Sequence, residues 1–367
     1  MFSDLRIHTV ERSRLDDVDF DALGFGDVFS DHMFSMVYED GRWQRPEIVP
    51  YGPIPMLPSA LSLHYGQAVF EGLKAFRGVD DVVRIFRPDM NAKRLLVSCE
   101  RLCIPPIEPD VFHAAVESAV RIDHAWIPRV RGQALYIRPI VFGTEGHLEV
   151  RPSESFQFVV MTAPVRKYFK DDIDAIQLKA EEKYTRAAPG GMGYAKTAGN
   201  YAASLYPGEM GRREGYAQVL WLDGAEHRYV EEVGAMNIFF KFKDTVVTPG
   251  LHGTILPGVT RDSVIALLKD KAIPFEERLV DIDEVVSGIH TGELEEIFGA
   301  GTAAVISPVG TIAYKGETHS MRINGAGPLT RDLYDTITGI QLGEVEDKFG
   351  WTRIVDVDAP VAVAVGD

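Results

Sequence analysis

The sequence predicts a two-domain protein of mixed α/β (α+β) class, and three observations support that prediction. The chain has 367 residues, 46% of them hydrophobic and 25% charged, a size at which two cores with a cleft between them are favoured over one. Segments of strand character and segments of helix character alternate in both halves. A charged run, RKYFKDDID at residues 166–174, interrupts the alternation and marks the passage between domains. The expected division is a small N-terminal domain over residues 1–170, a linker over 171–178 and a larger C-terminal domain over 179–367.

In chain order, helices are expected over residues 90–102 and 110–126, with Asp89 and Asp110 as caps, the second preceded by Pro109. Residues 135–142 (LYIRPIVF) and 156–162 (FQFVVMT) read as buried strands, rich in β-branched and aromatic residues. Beyond the linker come a Gly-rich turn, a helix near 200–214, a strand at 218–222 and a hairpin-like run at 236–247 (MNIFFKFKDTVV). A Pro-Gly turn then leads into an amphipathic helix within 256–268 (LPGVTRDSVIALL), with Thr260 as its N-cap. The turn FGAGTAA at 298–304 joins two further strands.

Composition excludes several function classes. Lys plus Arg number 38 against 54 Asp plus Glu, a net charge of −16, so nucleic acid is not an expected partner. The start MFSDLRIHTVERSRLDD has no basic-then-apolar leader and no apolar run spans a bilayer, which predicts a cytoplasmic protein with no membrane association. Cys99 and Cys103 have neither CxxC nor zinc spacing and are expected reduced and partly buried, and the ten scattered histidines give no metal site. No fixed-period repeat or low-complexity tract is visible.

The residues that can carry chemistry are fewer. Lys196 lies among small residues in TRAAPGGMGYAKTAGNYAAS (185–204), where a desolvated lysine loses preference for its charged form and its amine can form an imine with an aldehyde. Taken alone, a solvated loop lysine is the better explanation. GGMGYAKT also looks like a phosphate-binding P-loop, but Ala195 stands where that motif has Gly, and the preceding EEKYTRAAP is too polar for the strand that feeds such a loop. The helix start after Gly258 and the 298–304 turn with its Thr302 hydroxyl both offer amides to an anion, or are simply a capped helix and a tight turn. In YVEEVGAMNIFF (229–240), Glu231 reads as a solvated turn residue. Glu232, leading into an apolar strand, needs a cationic partner such as a protonated pyridine nitrogen. Jointly, an amine nucleophile, two anion-binding turns, a carboxylate and an arginine-bearing helix suit a phosphorylated aldehyde.

At these residues the sequence resembles the fold-type IV pyridoxal-phosphate enzymes and, within them, the branched-chain amino-acid aminotransferases. The resemblance runs over residues 25–341 and rests on LHYGQAVFEGLKAFRG (63–78), LYIRP (135–139), KTAGNYAAS (196–204), EEVGAMNIFF (231–240), LPGVTRDS (256–263) and FGAGTAA. It implies a cofactor cleft between the two domains and pyridoxal 5′-phosphate joined as an imine to Lys196, which is both nucleophile and general base. It also implies Glu232 at the pyridine nitrogen, Tyr201 at the ring O3′, Arg94 at the phosphate and Arg186 as a further cofactor-side arginine. Val259, Thr260 and Thr302 supply the remaining phosphate contacts.

For substrate, the resemblance implies a pocket of Phe25, Tyr65, Phe70, Tyr136 and Tyr168, with the α-carboxylate held by Tyr136 and the amides of the Thr302-Ala303 turn. Arg138 then receives the distal carboxylate of glutamate, since a guanidinium pairs a carboxylate through two hydrogen bonds. The implied activity is ping-pong transfer of the amino group of L-leucine, L-isoleucine or L-valine to 2-oxoglutarate, in branched-chain amino-acid metabolism, by a homodimer that shares residues across its active sites. Within the same fold the alternatives are a D-amino-acid aminotransferase, an aminodeoxychorismate lyase, or a binding protein that keeps the cofactor without catalysis. Two departures from the family stand out: Ala304 and Ser307 occupy the place of a CxxC redox switch, and Ala235 replaces a Thr.

Overall fold

A computed structural model describes residue 2 and residues 4–166 and 175–361. These form two compact units. The first takes the chain up to residue 166 together with Lys196–Gly199 and residues 339–361; the second takes residues 175–195 and Asn200–Thr338. This differs from the linear division expected. Residues 176–178, expected in the linker, begin the strand Ile176–Glu181, and the C-terminal strand Thr352–Val355 pairs antiparallel with Val83–Phe86 in the first unit. Such long-range pairing leaves no local mark in a sequence. Part of the expected linker, residues 171–174, lies outside the described residues.

Among the described residues the first unit has a ten-stranded sheet. Its central strands are Phe156–Val165, Ala134–Gly143 and Leu73–Arg77, each antiparallel to the next. Period-two alternation sends Leu135, Ile137 and Val141 into a core with Leu95, Phe112 and Val116, and leaves Tyr136, Arg138 and Ile140 on the opposite face. The core side is covered by the helices Pro88–Arg101 and Pro109–Ile122. Each begins with its proline at the first position, after Arg87 and Glu108. Asp89 and Asp110 therefore sit in the first turn and make no cap hydrogen bond, contrary to expectation. The fixed proline φ already suits a helix start, and the carboxylates favour the positive end of the dipole, Asp89 also facing Lys93 at 3.8 Å.

In the second unit a ring of strands closes on itself: Val230–Val233, Gln218–Leu222, Ile176–Glu181, Val305–Tyr314, Leu294–Gly301 and Met236–Phe242, which pairs back to Val230–Val233. The last two-residue connection is Gly234-Ala235, and Gly234 takes the positive φ of +55° that such a turn requires. Val219, Leu220, Ile238, Phe240, Ile297 and Ile312 are each at most 2% exposed, the burial that holds the ring together at about 1.5–3 kcal/mol per large side chain. The expected helix in 256–268 spans Val259–Asp270. Its N-cap is Gly258 with no side-chain cap, so Thr260 is a helical residue rather than the cap. Cys99 is buried and Cys103 exposed, both free. No helix among the described residues is long and apolar enough to cross a membrane.

Candidate active site

Lys196 sits in the first unit because its main chain joins the edge of that unit's sheet. Its N–H donates to Ser98 Oγ at 2.9 Å, its carbonyl accepts from Phe70 N–H at 3.1 Å, and Thr197 forms an antiparallel bridge with Val69. Ala198 packs against the core cluster that contains Met33, Ala68, Phe142 and Val159. The Lys196 ammonium lies 4.8 Å from the centre of the Phe70 ring. Burial pushes its pKa down to about 8, helped by the positive charges of Arg94 and Arg138 and opposed by Glu71 and Tyr136.

The sheet face opposite the core gathers the other expected groups. Arg138 Nη2 donates to the Tyr136 hydroxyl at 3.0 Å, and its guanidinium stacks over Phe70 at 4.7 Å and Tyr136 at 5.3 Å. Phe25 meets Tyr136 edge-on at 5.0 Å. Gly72 gives the Tyr136 hydroxyl its space, since a Cβ there would run into it. Lys74, paired across the strands with Tyr136, adds a buried cation whose pKa burial lowers to about 8.

Arg94 does not stand by itself. Glu71, fully buried, binds it through two hydrogen bonds, Nε to Oε1 at 2.8 Å and Nη2 to Oε2 at 2.7 Å, and also accepts from Asn91 Nδ2 at 2.7 Å. Sequence reasoning overlooked Glu71, Ser98 and Lys74. The signal for Glu71 was present: a carboxylate in the apolar run AVFEGL needs a buried cation.

The second unit holds the other carboxylate. Glu232 accepts from Leu256 N–H at 2.6 Å, and its Oε2 lies 3.2 Å from Arg186 Nε. Arg186 Nη2 also donates to the carbonyls of Gly193, at 3.2 Å, and Thr254. Thus the cationic partner of Glu232 that the sequence demanded is, within this unit, Arg186. Glu231 departs from the solvated turn residue expected: it is 6% exposed, Oε2 has no hydrogen-bond partner, and burial pushes its pKa up to about 7 against the Thr254 hydrogen bond and the Arg186 charge.

Two anion-receptive turns lie in the same unit. Val259 and Thr260 open the helix Val259–Asp270, whose first N–H groups have no intrahelical acceptor and no side-chain cap. Thr302 and Ala303 form the link between Leu294–Gly301 and Val305–Tyr314. Tyr201 is in the first turn of the helix Ala198–Arg213. Among the expected substrate residues, Tyr65 is not gathered with Phe70 and Tyr136: it is 44% exposed and its hydroxyl donates to the Leu148 carbonyl. Tyr168 lies outside the described residues.

Comparison with known proteins agrees with this chemistry. The family model for class IV amino-transferases matches residues 68–312. The chain is 50% identical over 334 residues to branched-chain-amino-acid aminotransferase 2 of Bacillus subtilis (strain 168), covering 91% of this chain and 92% of that protein. It superposes on the branched-chain amino acid aminotransferase of Escherichia coli with a TM-score of 0.73 at 26% identity, over 88% of this chain and 99% of that one. The T.th. branched-chain enzyme complexed with N-(5′-phosphopyridoxyl)-L-glutamate gives 0.71 at 25% identity, over 88% and 98%. The chain therefore belongs to the class IV aminotransferases of fold type IV, in the branched-chain amino-acid aminotransferase family.

Proposed function

We propose that the chain transfers the amino group of L-leucine, L-isoleucine or L-valine to 2-oxoglutarate, reversibly, with pyridoxal 5′-phosphate as cofactor. The observation that carries this reading is Lys196, an amine with pKa near 8 above the Phe70 ring, on a face shared with Tyr136 and Arg138. When bound, the cofactor supplies an aldehyde carbon and a ring that accepts the electron pair released at the substrate Cα. The residues fit that group: a lysine with lowered pKa, a buried carboxylate, helix-start amides without a side-chain cap and a buried arginine.

With the cofactor bound, Lys196 would supply the amine that holds its aldehyde and the base that takes and returns the proton at substrate Cα. A pKa near the working pH suits both tasks. Glu232, held by Arg186 and the Leu256 amide, would serve the ring nitrogen, and Tyr201 would serve the ring O3′. Arg94, with the Val259, Thr260 and Thr302 groups, binds the phosphate, while Arg186 acts through Glu232.

Phe25, Phe70 and Tyr136 form apolar walls suited to branched side chains. The Tyr136 hydroxyl and the Thr302-Ala303 amides hold the α-carboxylate, and Arg138 pairs with the distal carboxylate of glutamate. Tyr65, bonded to the Leu148 carbonyl, is exposed, as are the nearby apolar side chains of Leu57 and Leu148, and a homodimer in which Tyr65 serves a neighbouring subunit would cover them. The enzyme works in the cytoplasm. The test is transfer to 2-oxoglutarate from L-leucine against D-alanine, with borohydride trapping of the cofactor. Turnover of L-leucine and an adduct on Lys196 are the expected results; D-alanine turnover with inert L-leucine overturns the substrate assignment.

A further inference from the structure

Lys196 is fixed through its main chain as well as its side chain, and one end of that attachment is a side-chain hydroxyl. Ser98 is fully buried on the helix Pro88–Arg101. Its Oγ donates to the Arg94 carbonyl at 2.9 Å, one turn back, and accepts from the Lys196 N–H at 2.9 Å. A hydroxyl has one proton to give, so with that proton on the Arg94 carbonyl only its lone pairs face Lys196. A helical serine commonly bonds the carbonyl four residues back without further consequence. Here the same oxygen is the acceptor for the amide of the reactive lysine.

We propose that Ser98 is a positioning residue for Lys196, tying the lysine main chain to the helix that carries Arg94. The inference rests on the reading of Lys196 as the reactive amine. Phe70 N–H holds the Lys196 carbonyl on the sheet, so Ser98 and Phe70 together fix both faces of the same residue. A four-carbon side chain amplifies any drift of its own Cα, and misplacement of a reacting group by about 1 Å costs on the order of a hundredfold in rate. Ser98 touches the lysine through its amide, so its loss acts on turnover and on that amide, not on substrate affinity.

The test compares Ser98→Ala and Ser98→Thr with the wild type. In the apoprotein, hydrogen exchange at the Lys196 amide is expected to speed up about tenfold or more in Ser98→Ala, with the Leu135 and Phe158 amides unchanged, as for a lost buried hydrogen bond of about 1.4 kcal/mol. In the holoenzyme kcat falls ~10–100-fold while KM for L-leucine stays within about threefold, and Ser98→Thr restores both readouts. If Ser98→Ala does not fold, Ser98→Cys carries the same comparison, because a thiol is a weak acceptor of similar size. Wild-type exchange at Lys196 or wild-type kcat in the variant overturns the role of Ser98. Borohydride reduction of the wild type separates the two levels: no adduct on Lys196 overturns the proposed function and this inference with it, whereas an adduct with unchanged amide exchange overturns Ser98 alone.

Discussion

Arg94 and Glu71 meet through two parallel hydrogen bonds, 2.8 and 2.7 Å, in a site where the carboxylate has no exposed surface. Both charges act on Lys196, in opposite senses: Arg94 lowers its pKa and Glu71 raises it. Glu71→Gln is therefore expected to move the pH midpoint of Lys196 acylation in the apoprotein below about 8, and Arg94→Gln to move it upward. Mass-spectrometric labelling across a pH series reads both. Removing one partner of a buried pair also costs about 3–5 kcal/mol, so urea unfolding of Glu71→Gln should show a clear loss of stability.

The lysine itself makes stability depend on pH. Its folded pKa of about 8 lies below the ordinary 10.5, so the unfolded chain binds the proton more tightly. Stability falls as pH drops from 10.5 towards 8, and the full penalty is present below about 8. Apoprotein of Lys196→Met should melt several degrees above the wild type at pH 7, the gap closing near pH 11. A constant gap across that range would contradict the assignment of the penalty to Lys196.

Glu231 works with the opposite sign. Its folded pKa of about 7 exceeds the ordinary 4.5, so stability declines as pH rises from 4.5 through 7. Glu231→Gln keeps the shape and removes the buried charge. Its melting temperature should exceed the wild type by a few degrees at pH 8 and match it at pH 4, by calorimetry on the apoprotein.

Arg138 is expected to separate the two half-reactions. A charge-assisted hydrogen bond contributes about 1.5–3 kcal/mol, so Arg138→Met should raise KM for 2-oxoglutarate roughly 10–100-fold. The apolar walls remain, and single-turnover amino transfer from L-leucine should change by less than about threefold. An equal loss for both substrates would mean that Arg138 supports the pocket generally and does not read the distal carboxylate.

The sequence by itself marked strands at 135–142, 156–162 and 218–222, found at 134–143, 156–165 and 218–222, the hairpin from Met236 and the turn at Thr302, and it singled out Lys196 and Glu232, with Arg138 and Tyr136 following from the family resemblance. Apart from Arg138 and Tyr136, each is written in local terms: apolar alternation, Gly at a turn, a lysine among small residues, a carboxylate leading into an apolar strand. Tertiary structure decided the partners. It set Glu71 on Arg94, Arg186 on Glu232 and Ser98 on the Lys196 amide, buried Glu231, and carried residues 196–199 and 339–361 into the first unit. Pairings across 23 to 98 residues depend on which sheet edges and helix faces meet, and side-chain chemistry fixes only that a buried charge or amide must find a partner.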